Sequence, residues 1–113
     1  MTLDALRSFC NSLPHVTEDI KWGNDLCFSI GKKMFCVSNM VYPLMISLKV
    51  KDEEFDELSN QPGIKPAPYV ARYKWILIDN EKVFSKSKWE FYIRQSYELV
   101  KSKLPKKILN QLK

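Results

Sequence analysis

Leu26–Met40 reads LCFSIGKKMFCVSNM. Two β-prone runs flank Gly31-Lys32, and a glycine in the first position suits a tight two-residue hairpin of type II′. That turn would set Phe28 opposite Phe35 and Cys27 opposite Cys36, with aromatic pairing across the strands fixing the register. Lys32 and Lys33 then project from the tip. An antiparallel sheet is therefore the frame into which the rest of the chain must fit.

Upstream, Thr2 is placed to cap a helix reaching about Ser12, with Leu3, Leu6, Phe9, Cys10 and Leu13 at helical spacing, and Pro14 stops it. Residues 15–24, containing Trp22-Gly23, read as a connection. Downstream, LMISLKV (Leu44–Val50) predicts a third strand. DEEFDELSN, from Asp52, predicts a short acidic helix whose carboxylates suit its N-terminal turn. QPGIKPAP is a proline-rich connection that excludes helix or central strand. Arg72–Asp79 then ends in a continuous apolar run, as a sheet strand does. Ser87 and Glu90 form a capping box opening a long helix with Trp89, Ile93, Tyr97, Val100 and Leu104 on one side. Pro105 breaks it before a last turn, KKILNQLK. The fold class that follows is α+β: a two-layer sandwich, one antiparallel sheet with the N- and C-terminal helices packed on one face.

The bulk properties fit one domain spanning 1–113, with 45% hydrophobic residues supplying a core. No apolar run is long enough to span a bilayer and no signal peptide is apparent, so a cytoplasmic protein is expected. Three cysteines without a CxxC pair, and His15 as the single histidine, argue against a disulfide framework and a metal site. There is no phosphate-cradling glycine loop and no GxSxG elbow. No catalytic residue, metal or cofactor is expected.

Charge says more. Up to Glu57 there are six Lys/Arg against nine Asp/Glu; beyond it, twelve against four. The net +5 thus belongs to the C-terminal half, and a polyanion such as nucleic acid is the partner this suits. The competing reading is a solvated, soluble surface. In YVARYKWILID (69–79), Trp75 and Ile76-Leu77-Ile78 belong to a core strand, and Tyr69 and Tyr73 are the aromatics expected in solvent. Candidate phosphate contacts are Lys32, Lys33, Lys65, Arg72, Tyr73, Lys74, Lys86 and Lys88.

Several short features occur together in order: Pro14 after the first helix, Trp22-Gly23, Gly31-Lys32-Lys33-Met34-Phe35, Leu48-Lys49, Pro68-Tyr69, Lys74-Trp75, and Ser96-Tyr97 with Val100. With them the chain resembles the MmcQ/YjbR family of small bacterial proteins. The resemblance implies a two-layer fold similar to that of bacterial frataxin (CyaY-like). It also implies a DNA-binding role through winged elements on the sheet, and no catalytic residue set. Frataxin-like iron binding does not carry over, because Asp4 is the only acid in the first helix. The expected function is non-enzymatic binding of double-stranded DNA. The alternative is a protein-interaction module using the acidic helix 52–57 and the basic C-terminal half. A third reading is a small-molecule or metal binder using loop 61–74 beside His15. The sequence leaves the oligomeric state open.

Overall fold

The computed structural model describes residues 1–112; Lys113, in the last predicted turn, lies outside the described residues. The chain runs α1 (Leu3–Ser12), β1 (Thr17–Lys21), β2 (Asp25–Ile30), β3 (Lys33–Ser38), β4 (Ile46–Lys49), α2 (Asp52–Ser59), β5 (Ile64–Pro66), a 3-10 turn (Ala71–Tyr73), β6 (Trp75–Ile78), α3 (Lys86–Ser102) and α4 (Lys106–Gln111). The strands form one six-stranded antiparallel sheet in the order β1-β2-β3-β4-β6-β5. The helices pack on one face, so the α+β two-layer arrangement is as expected.

That face is the main core. Leu26, Phe28 and Ile30 of β2, Ile46 and Leu48 of β4, and Ile76 and Ile78 of β6 alternate toward it. They meet Leu6 and Cys10 of α1, Leu58 of α2, and Trp89, Ile93 and Tyr97 of α3. Burying each large apolar side chain here contributes about 1.5–3 kcal/mol. The polar tips of the two largest are satisfied: Trp89 Nε1 donates to the Glu81 carbonyl at 2.8 Å, and Tyr97 Oη to the Pro14 carbonyl at 2.7 Å.

The structure corrects several expectations. The connection 15–24 contains β1: Thr17–Lys21 pairs with β2 along its whole length. Its sequence TEDIK has one apolar residue, Ile20, which is itself exposed, so no inward alternation betrays it. The proline-rich stretch contains β5, an edge strand, where Pro66 costs no ladder hydrogen bond. The strand expected over Arg72–Asp79 starts only at Trp75, because Arg72 and Tyr73 lie in the 3-10 turn and Lys74 is left-handed (φ 65°). The cap of α3 is Ser85, whose side chain accepts from the Lys88 backbone N–H, two residues before the predicted Ser87.

The hairpin differs too. Gly31 and Lys32 both have positive φ, 57° and 68°, the signature of a type I′ turn rather than II′. A β-bulge follows, with Phe28 opposite Cys36 and Ser29 opposite Met34. Phe35 is the extra residue, so it faces the helices together with Cys36, and Cys27 pairs with Val37. Cys36 lies against Cys10 in the core. Their mutual hydrogen bond, then burial, pushes the Cys10 thiol strongly up, so it stays protonated. All three cysteines are free and buried.

Candidate nucleic-acid interface

Antiparallel pairing decides which lysines meet. The β2–β3 turn, the end of β4 at Lys49, the start of β6 at Trp75 and the end of β5 all lie at one end of the sheet. Helix α3 begins at the other end, where Trp89 bonds Glu81 just past β6, and runs toward the hairpin. There Leu104 and Ile108 seat against Gly31. One end of the molecule thereby gathers Lys32, Lys33, Lys49, Arg72, Lys74, Lys103, Lys106 and Lys107.

Lys49 reports the field at this end. Its ammonium is held below the ordinary lysine range, first by burial, then by Lys103 and also Lys74, with Asp52 opposing. Its Nζ donates to the Tyr73 carbonyl, which ties the 3-10 turn to β4. Lys74 Nζ lies 5.1 Å from the Phe55 ring centroid, and the Arg72 guanidinium 4.8 Å from that of Tyr73. Among the described residues the one ion pair is Arg7–Glu18, between α1 and β1, so none of these cations is neutralised by a bonded carboxylate. The acidic first turn of α2 (Asp52, Glu53, Glu54) borders this end and limits it on one side.

Of the eight residues selected from the sequence, Lys32, Lys33, Arg72, Tyr73 and Lys74 come together here. Lys65 stands on the sheet face away from the helices, opposite Leu77 and exposed. Lys86 and Lys88 do not join them. They occupy the first turn of α3, about 24 Å of helix from its C-terminal end, and Lys86 borders the groove between α1 and α3. Lys49, Lys103, Lys106 and Lys107 were missed, because their meeting depends on α3 crossing β4 and on Leu104 and Ile108 seating against the hairpin turn, which no local pattern announces.

The four α-helices leave the other sheet face to the strands' own side chains, exposed at its edges and buried toward Cys27 and Leu77. Register places Asp19, Cys27, Val37, Ser47, Leu77 and Lys65 in one row across all six strands. Residues 67–74 fold back over part of it, where Ala67 and Val70 pack on Trp75 and Leu77. The Ala67 N–H donates to the Trp75 carbonyl and the Val50 N–H to that of Lys74. Tyr69 and Tyr73 are exposed, as expected, at 99% and 51%. Burial pushes the Cys27 thiol on this face up to about 11. His15 is exposed at the start of β1, one edge of the sheet, whereas loop 61–74 hangs from β5, the other edge; the pairing of the two suggested by the sequence is not made. No group of three or more potential metal ligands occurs among the described residues, and no helix there is long and apolar enough to cross a membrane.

The YjbR family model matches residues 11–99. The chain belongs to the YjbR family. A crystal structure of the Deinococcus radiodurans protein DR2400, described as a DUF419 domain, is similar to this YjbR domain with a TM-score of 0.88 and 28% identity, covering 98% of this chain and 87% of that one. A Pseudomonas syringae protein solved by structural genomics (target PsR293) shares the fold at TM-score 0.73 and 18% identity, over 88% of this chain and 98% of that one. No curated protein matches.

Proposed function

We propose that this YjbR domain is a non-enzymatic protein that binds the phosphate backbone of double-stranded DNA in the cytoplasm, through its lysine-rich end. The observation that carries the reading is the convergence of basic side chains around Lys49, whose ammonium is disfavoured first by burial and then by Lys103 and Lys74. A bound polyanion relieves that repulsion and releases condensed counterions. The hairpin tip with Lys32 and Lys33 serves as the wing, and Arg72, Lys74, Lys103 and Lys106 supply further contacts. Contacts from lysine and arginine tips to phosphates carry no sequence information, so binding is weakly or not at all sequence-specific.

Engaging about five phosphates gives a log–log salt slope near −4.5. Fluorescence anisotropy of nuclease-treated protein with a labelled duplex, titrated across salt, measures it. Lys32→Ala/Lys33→Ala should flatten the slope by about 2, and Lys86→Ala/Lys88→Ala, at the far end of α3, should leave it unchanged. Equal losses in both pairs would move the interface off this end. No binding at low salt would leave the alternative, a protein-docking module, whose partner would remain bound after nuclease treatment.

A further inference from the structure

On the sheet face away from the helices, at the side where β1 turns into β2, lies a cleft of about 490 Å³. Trp75 forms its floor with Met34 beside it, Trp22 and Tyr69 stand at its rim, and Asp25 and Ser47 are among its polar lining residues. The two rim aromatics come from turns 47 positions apart in the chain, and the packing of the core uses neither. Trp22 is 69% and Tyr69 99% exposed. Both also adopt left-handed backbone, φ 53° and 68°, a conformation that bulky side chains adopt rarely and at a cost. The fold thus spends backbone strain to hold two aromatic faces in water beside an apolar floor.

Asp25 is the only charged residue lining this cleft. It is half-buried, and among the described residues it takes part in no ion pair. Lys21 lies directly across the strand pair from it, without bonding it. Asp19 adds a second negative charge on the same face, in the next row of the sheet. A polyanion is therefore disfavoured here, in contrast to the lysine-rich end.

We infer that the cleft is a binding site for a compact organic cation with an alkylated, weakly hydrated head, such as a quaternary ammonium. Aromatic faces attract such a cation through their quadrupoles, and the head gives up little hydration on entering an apolar floor. The Asp25 carboxylate balances its charge from the polar side. A strongly hydrated ammonium such as free lysine fits less well, because the floor returns none of its hydrogen bonds.

The test uses choline and its neutral carbon isostere, 3,3-dimethylbutanol, titrated into the full chain while the three tryptophan indole N–H signals are followed by heteronuclear NMR. Choline should shift Trp22 and Trp75 saturably, and Trp89, buried and bonded to Glu81, should stay still. Affinity for choline should exceed that for the alcohol by about tenfold. Asp25→Asn should remove most of that preference, and Tyr69→Ala should weaken choline binding severalfold, while the unmoved Trp89 signal reports an intact core in each variant. Equal affinity for the two probes, an unchanged preference in Asp25→Asn, or no saturable shift by tens of millimolar choline would each overturn the inference. A trimethyllysine peptide titrated alongside assigns the source: tighter binding than choline makes the natural ligand a protein side chain, and weaker binding makes it a free small molecule.

Discussion

Ser96→Ala is expected to be among the more damaging single-atom deletions in this chain. Ser96 sits on α3 with no exposure, and its hydroxyl does two jobs. It accepts from the Lys49 backbone N–H at 2.9 Å and donates to the Phe35 carbonyl at 2.6 Å. The bulge at Phe35 ends the regular β3–β4 pairing at Cys36–Leu48, and Ser96 takes up one backbone group from each strand just beyond it. Alanine leaves a donor and an acceptor buried without partners. Each costs about 1–3 kcal/mol, and the better helix propensity of alanine returns about 0.5, so the net loss is about 3 kcal/mol. Against a total stability of roughly 5–15 kcal/mol that is a large fraction. It corresponds to a fall in Tm of about 10 °C for a domain of this size. Urea unfolding followed by tryptophan fluorescence and circular dichroism measures it: the midpoint should drop with the m-value unchanged. A loss under about 1 kcal/mol at constant m would mean that the two backbone groups find other partners, and the account of the bulge would fail.

Gly31→Ala should cost about 1–3 kcal/mol, because residue 31 has φ +57° and a β-carbon there would lie 2.7 Å from Leu104 Cδ1 and 3.0 Å from Ile108 Cγ2; the urea midpoint reports it, and an unchanged midpoint would show that α4 yields freely. Glu18 is held below its ordinary value chiefly by the hydrogen bond from Arg7, assisted by Asn11. Its folded pKa is thus below its unfolded one. The stability it brings is complete above the unfolded value, near 4.3, and is lost as pH falls through the folded value. Glu18→Gln should therefore lower the neutral plateau of a stability–pH profile and flatten its acid limb, the two profiles converging at low pH, and an unaltered plateau and acid limb would remove the pair from the account.

Elements with a periodic apolar face were legible in the sequence, and elements at the sheet edges were not. Leu3, Leu6, Phe9 and Cys10 announce α1, and Trp89, Ile93 and Tyr97 announce α3, because burial on one side of a helix imposes the 3.6 repeat. Strand β1 buries almost nothing, and β5 is three residues ending in proline, so neither had a pattern to show. Of the resemblance markers, Ser96-Tyr97 has a clear physical basis: one residue closes the bulge and the other anchors Pro14. Trp22-Gly23 and Pro68-Tyr69 were visible as markers, yet their meeting at one cleft required the sheet order. The basic end was half legible. Lys32 and Lys33 were evident from the hairpin, whereas Lys49 and Lys103 reach it only through tertiary pairing.

The strand order also bears on how the chain assembles. Strands β1 to β4 are neighbours in both sequence and space, so residues 17–49 can zip as successive short closures. The β4–β6 pairing is different. It joins Ile46–Lys49 to Trp75–Ile78 across α2 and β5, a closure of nearly thirty residues. Loop entropy makes that the late step, with the meander formed before it. Arg72 and Lys74 of the lysine-rich end and the Tyr69 rim of the aromatic cleft are carried on the segment that this closure brings in. Both surfaces therefore come into existence only when the final strand docks, and a partly folded chain presents neither.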